Sequence, residues 1–237
     1  MRSFFRRALH RTFLRFGFRL VRALPFERSI RRWELDHSDF YMIQVGAHNG
    51  VTSDPIQRFV AEGDWTGVLV EPQQKYFQIL QTIYCDRPKL HPLHAAIGPS
   101  NESIRLYKVR DDAVGVPYWA SQLASTKREV IAGHADRIPG LDELIVAEDV
   151  PCRTLESIVR EFGLPRLDLL VSDTEGYDFE VIKQIDQLPH RPQFIHFESL
   201  HLPPSDFQSC LAFLHARDYE THDIQPGETF AELRALA

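Results

Sequence analysis

The sequence predicts an α/β domain built on a mostly parallel, doubly wound sheet. Two observations lead there. From residue 40 onward, short apolar runs alternate with segments whose apolar residues recur every three or four positions. The run at 41–45 is apolar apart from Gln44, and strands alternating with helices in this way imply a sheet covered on both faces. Composition agrees: 237 residues, 43% hydrophobic and 25% charged, describe a globular chain with room for one large domain and an appendage. No apolar stretch is long enough for a transmembrane helix. Cys85, Cys152 and Cys210 form no CxxC pair and are too scattered for a disulfide scaffold.

The elements follow in order. Residues 41–45 read as the first strand. Asp54 and Pro55 open a helix as cap and first-turn proline, with Ile56, Phe59 and Val60 inward and Gly63 as its stop. Residues 67–70 make a second strand, and Tyr76, Leu80, Ile83 and Tyr84 line a second helix. Residues 91–97 read as a third strand and 104–109 as an extra one. The stretch 111–140, with Pro117, Gly133, Pro139 and Gly140, reads as irregular, and so long a loop is usually a lid or substrate wall. Thr154 caps a helix that turns Leu155, Ile158, Val159 and Phe162 inward and stops at Gly163. A strand at 167–172, a helix through Phe179, Ile182 and Ile185, and a strand at 194–197 come next. Ser205 and Gln208 form a capping box for a helix carrying Phe207, Cys210, Leu211 and Leu214. From Glu220 the tail returns as one or two strands.

Charge divides the chain into a basic appendage, 1–33, and a domain, 34–237. Residues 1–32 hold ten arginines against one acid, Glu27, so the rest of the chain has 17 basic and 32 acidic residues. Residues 2–24 read as an amphipathic helix ended by Pro25. Arg7, Arg11, Arg15 and Arg19 form one stripe, and Phe5, Leu9, Phe13, Phe16, Leu20 and Leu24 lie opposite. Such a helix suits peripheral contact with a membrane inner face, from the cytoplasm. Packing on the domain or a partner, and organellar targeting, are the alternatives. The acidic body argues against nucleic acid as a partner and suits a cationic or neutral ligand.

Doubly wound sheets bind ligands beyond the carboxyl ends of their strands. After the first strand comes Gly46-Ala47-His48-Asn49-Gly50, whose glycines let backbone approach a ligand but which lacks the GxGxxG of a diphosphate clamp. After the second comes Glu71, placed to accept hydrogen bonds from a ribose diol. A nucleoside without phosphates, bound by an acidic body, points to S-adenosylmethionine, whose sulfonium is a cation. Asp173 and Glu175 follow the fourth strand beside the glycine turn. Asp173 there is able to hold the cofactor's amino group, stabilise the sulfonium or accept a substrate proton. Gly176 permits the exit into the next helix. After the fifth strand, His196 and Glu198 share one side by alternation, with His201 just beyond. Asp173, Glu198 and His196 are the candidate catalytic groups, since an aliphatic hydroxyl needs help to lose its proton. A divalent metal held by Asp173 and Glu198 is a less favoured reading, resting on position alone. In the irregular stretch, Trp119 is placed to stack on a sugar ring, and Ser121 and Ser125 to line an acceptor pocket with His201. Neither a GxSxG elbow nor a P-loop is present.

The run Gln44-Val45-Gly46-Ala47-His48-Asn49-Gly50, then Val70-Glu71-Pro72, Ala95-Ala96-Ile97-Gly98, and residues 167–176 ending Asp173-Thr174-Glu175-Gly176, resembles the FkbM family of S-adenosylmethionine-dependent methyltransferases. The resemblance covers residues 40–222. It implies a Rossmann-like class I methyltransferase fold and methylation of a hydroxyl oxygen on a saccharide, glycolipid or polyketide-like acceptor. It also implies that Gly46, His48, Asn49 and Gly50 surround the cofactor's methionine part, Glu71 its ribose and Ala96 its adenine. Asp173 and Glu175 complete the expected cofactor-binding set. The rival readings are a non-catalytic nucleoside-binding or interaction protein on the same fold, and a nicotinamide-dependent oxidoreductase, which the glycine pattern disfavours.

Overall fold

The computed structural model describes residues 25–234. It begins with α1 (Pro25–Asp36). Strands β1 (Tyr41–Val45), β2 (Thr66–Glu71) and β3 (Leu90–His94) follow, separated by α2 (Gln57–Glu62) and α3 (Gln74–Ile83). They pair in parallel with β1 beside β2 and β2 beside β3. The chain then crosses to the other side of β1, where β8 (Leu169–Ser172) and β9 (Phe194–Glu198) extend the parallel sheet. Before, between and after them come α6 (Leu155–Glu161), α7 (Asp178–Lys183) and α8 (Pro204–His215) in turn. The tail forms β10 (Tyr219–Gln225) and β11 (Glu228–Leu233), a hairpin whose second strand inserts antiparallel against β9. The resulting order is β10-β11-β9-β8-β1-β2-β3. Its reversal lies between β1 and β8, the place where this class of sheet opens a ligand crevice.

Alternation along the strands splits the core in two. Ile43, Val45, Val70, Leu170, Ile195 and Phe197 face α6, α7 and α8. Met42, Leu69, Leu169, Val171, Phe194 and Phe230 face α1 and α2. Both faces are covered, which is why most strand positions on either face are apolar. Phe26 and Ile30 of α1 are 3% and 0% exposed within the second layer, each worth roughly 1.5–3 kcal/mol of burial. Thus α1 spans the expected boundary at residue 33 and contributes to the domain's core. The amphipathic helix expected at 2–24 lies outside the described residues.

A smaller four-stranded sheet stands over the carboxyl edge. Its strands are β4 (Ala96–Ile97), β5 (Ser103–Val109), β6 (Ala124–Ser125) and β7 (Ile145–Arg153). The third strand expected at 91–97 is broken at Ala95, with its end given to this sheet. The stretch 111–140 is more ordered than its composition suggests. It carries the 3-10 turn Tyr118–Ser121, β6 and α4 (Arg128–Ala132), with α5 (Leu141–Leu144) just beyond. These pack through Val109, Ala120, Leu123, Ile131, Ile138 and Leu141. The capping box expected at Ser205 is absent. Pro204 opens α8, and the Ser205 hydroxyl donates to the Asp206 carboxylate at 3.3 Å. Thr154 does cap α6, accepting from the Ser157 amide at 3.1 Å.

Candidate active site

The glycine turn is shaped by the neighbouring strands. The amides of Gly46 and Ala47 both donate to the Val70 carbonyl, at 3.0 and 3.1 Å. Gly46, His48 and Gly50 take left-handed φ values of 76°, 46° and 67°. A Cβ on Gly46 would stand 1.8 Å from the Asp173 carbonyl oxygen, so only glycine fits there. The turn and the ends of β2, β8 and β9 enclose a cavity of about 230 Å³. Gly46, His48, Glu71, Ala96, Asp173, Glu175 and His196 line it, together with Gln44, Asp54, Gln73, Gln122, Gln225 and Glu228, which sequence reasoning missed.

Glu71 is 3% exposed. One carboxylate oxygen accepts from the His48 amide at 2.7 Å and the other from the Gln73 amide at 2.8 Å. Burial raises its pKa to about 7 against those stabilising amides. Each oxygen keeps a lone pair for a further donor. His48 is pushed down to about 4 by burial and is therefore neutral. Its ring lies 3.8 Å from that of Tyr76, and its Nδ1 is 3.3 Å from Gln122 Nε2. Its Nε2 has no partner, nor do Gln44 Oε1 and Gln73 Oε1, although all are buried. Buried polar atoms are seldom left unpaired, and these three belong to residues lining the cavity, so they are open to a ligand's polar groups.

Asn49 and Gly50 stand behind the turn and do not line the cavity. Asn49 Oδ1 accepts from the Val51 and Thr52 amides, and Gly50 lies against Tyr84, whose hydroxyl donates to the Gly50 carbonyl. Ala96 lines the cavity wall at the start of β4.

The far end of the cavity is acidic. Asp173 opens onto it from the end of β8. Burial, then Glu198, Glu175, Asp178 and Glu228 in turn, raises the Asp173 carboxyl well above its ordinary pKa. Asp178 is 0% exposed; its Oδ1 accepts from the Ser172 hydroxyl at 2.6 Å and the Thr174 amide at 3.1 Å, which fixes the exit from β8. Glu175 has a φ of 52° and is strapped by the Ser125 hydroxyl, which donates to its carbonyl at 2.7 Å. His201 Nδ1 sits 2.8 Å from Glu175 Oε2 and 2.7 Å from Glu198 Oε1. The two carboxylates, Glu175 first, raise His201 to about 10, so it is an imidazolium at neutral pH. Burial brings Glu198 up to about 7.

His196 is 4% exposed, and burial lowers it to about 4, so it is neutral. Its Nε2 is 3.4 Å from Glu228, and its ring lies 5.0 Å from that of Phe26. Ser125 is 1% exposed and serves the Glu175 strap. Ser121 bonds the Tyr76 hydroxyl at 2.7 Å and donates to the Tyr118 carbonyl at 2.8 Å. Trp119 packs edge-on against His134, which packs in turn against His201. None of these three loop residues lines the cavity; Gln122, Ala124 and Thr126 of the same stretch do. Signals for the missed residues existed. Gln44 interrupts an apolar strand, and Glu228 directly follows the turn glycine Gly227 at the start of β11.

Comparison with known proteins adds to this geometry. A family model described as "Methyltransferase FkbM domain" matches residues 44–221. A methyltransferase FkbM structure from Methylobacillus flagellatus KT superposes with a TM-score of 0.51 at 15% identity, covering 82% of this chain and 43% of that one. The chain thus spans less than half the length of that structure. Aeropyrum pernix fibrillarin with natively bound S-adenosyl-L-methionine gives a TM-score of 0.44 at 10% identity, covering 81% and 66%. A Geobacter metallireducens GS-15 precorrin-6y C5,15-methyltransferase gives 0.42 at 12% identity, covering 87% of each chain. No curated protein matches the sequence.

Proposed function

The chain belongs to the FkbM methyltransferase family, with S-adenosylmethionine as cofactor, and we propose that it methylates a hydroxyl oxygen of a saccharide, glycolipid or polyketide-like acceptor. The observation that carries the cofactor part of this reading is the acidic lining of the cavity. It holds the carboxylates Asp54, Glu71, Asp173, Glu175 and Glu228, and no lysine or arginine among the described residues. That lining suits a nucleoside bearing a cationic centre and offers no countercharge to the diphosphate of a nicotinamide cofactor.

The residues fit the cofactor. Glu71 has a free lone pair on each oxygen for ribose hydroxyls, and the unpaired atoms of Gln44, His48 and Gln73 await polar partners. The Gly46 turn brings backbone close where a side chain would block. When bound, the cofactor supplies a methyl group on a sulfonium centre. The protein's part is to hold the acceptor oxygen in line with that methyl, and such positioning is worth up to roughly 7–11 kcal/mol in good cases. Asp173 receives the hydroxyl proton: it opens onto the cavity, and burial, then its carboxylate neighbours, make it a better base than an isolated aspartate. His196 supports the wall as a neutral ring. His201, held as a cation, anchors Glu175 and Glu198.

The acidic body favours a neutral acceptor over a nucleic acid. The arginine stripe of residues 2–24 is the basis for placing the acceptor near an anionic membrane surface. Incubation of the full chain with methyl-labelled cofactor and a panel of free saccharides tests the reading. Label should appear in a base-stable methyl ether. Base-labile label, marking a carboxyl ester, or none in any acceptor, overturns the hydroxyl assignment.

A further inference from the structure

We propose that Glu175, Glu198 and His201 form a binding site for a divalent transition-metal ion beside the cavity. Each offers one ligand atom, and the three atoms lie within 4.8 Å of one another. The His201 Nδ1 separations of 2.8 and 2.7 Å from the two carboxylates are close to the roughly 3 Å between neighbouring ligands on an ion with 2.0–2.2 Å bonds. An ion entering the cluster takes the place of the proton on Nδ1, which returns to solvent.

A second observation points to a ligand. Glu198 is 8% exposed and its Oε2 has no hydrogen-bond partner, although its other oxygen is fully engaged with His201. A carboxylate oxygen that far from water normally has a donor or a cation. The backbone at Glu175 and His201 is also braced. Ser125 holds the Glu175 carbonyl, Lys127 Nζ donates to the Gly176 carbonyl at 3.1 Å, and Gly176 passes so near the His201 carbonyl that a Cβ would stand 2.9 Å from it. Pre-set ligands lose little freedom on binding.

One imidazole with two carboxylates is a donor set for Mn²⁺ or Zn²⁺ rather than for Mg²⁺ or Ca²⁺, which prefer oxygen alone. Of the three ligands Glu175 lines the cavity, so an acceptor hydroxyl placed beside Glu175 would be within the ion's influence and made more acidic. That catalytic use rests on the methyl-transfer reading; the binding itself does not.

The test is calorimetric titration of the chelator-stripped full chain with Mn²⁺, Zn²⁺ and Mg²⁺, with spin-echo detection of nitrogen coupling to bound Mn²⁺. Cofactor binding is titrated on the same samples. We expect one saturable Mn²⁺ or Zn²⁺ site, at least tenfold weaker binding of Mg²⁺, and coupling to one imidazole nitrogen. Glu198→Gln and His201→Gln should each weaken Mn²⁺ at least tenfold, and the exposed Glu220→Gln should not. No saturable site, no nitrogen coupling, or unchanged affinity in both variants overturns the proposal: the cluster is then held by its proton alone. Because the first two readouts use the unaltered chain, misfolding of a variant leaves the test intact. Metal binding without cofactor binding would refute the methyl-transfer reading and leave the metal site standing.

Discussion

Gly46 packs against Asp173 so closely that a Cβ on the glycine would stand 1.8 Å from the aspartate's carbonyl oxygen. The Asp173 amide in turn donates to the Val45 carbonyl at 3.0 Å. The ends of β1 and β8 are therefore joined where the sheet reverses, and the cofactor turn and the acidic end of the cavity form one unit. Gly46→Ala has to displace backbone at a φ of 76°. It should cost more than about 2 kcal/mol in urea denaturation and abolish cofactor binding even where the variant remains folded.

Asp173→Asn keeps the shape of the side chain and removes its capacity to accept a proton. Turnover should fall about 10²-fold or more, with cofactor affinity within a few-fold of the unaltered protein. Single-turnover rates and calorimetry on the same sample check this. Equal loss of both would make Asp173 a cofactor ligand only.

His196 gives a pH signature. Its folded pKa, about 4, lies below the ordinary 6.5, so the folded state binds fewer protons than the unfolded one between those values. Its contribution to stability is present above pH 6.5 and lost as pH falls toward 4, by up to about 3 kcal/mol for a shift of this size. His196→Phe should flatten that part of the stability profile, read as urea midpoints at pH 7 and pH 5. An unchanged slope would remove His196 as its source.

The amino-terminal boundary is also testable. Phe26 and Ile30 are core residues, so deletion through residue 33 should lower the melting temperature further than deletion of residues 1–24. The difference should be well over about 5 °C, through loss of two buried side chains. If residues 2–24 carry the membrane contact, the shorter deletion should also end sedimentation with anionic vesicles.

Much of this architecture was legible in the residues. The parallel strands were readable because helices cover both faces, and Gly46, Glu71 and Asp173 because ligand-facing residues follow strand ends. By contrast, β7 is half polar, contains Pro151, and is held by β5 from some forty residues away, so nothing local marks it. Asn49 and Ser125 illustrate another limit. A polar side chain reads the same whether it serves a ligand or the backbone, and both here serve backbone groups. Pro204 overrode the capping box at Ser205 by taking the first turn of α8. His201 was legible as polar, but its place between two carboxylates depends on how β8 and β9 end side by side.

The most direct measurement is calorimetric titration of the full chain with S-adenosylmethionine, beside Glu71→Ala. That substitution removes the acceptor of the His48 and Gln73 amides as well as the expected ribose contact. A single saturable site in the unaltered chain, weakened at least tenfold in a folded Glu71→Ala, is the predicted result. No heat with the cofactor or its demethylated product, or equal affinity in the two proteins, would contradict the site described for this cavity.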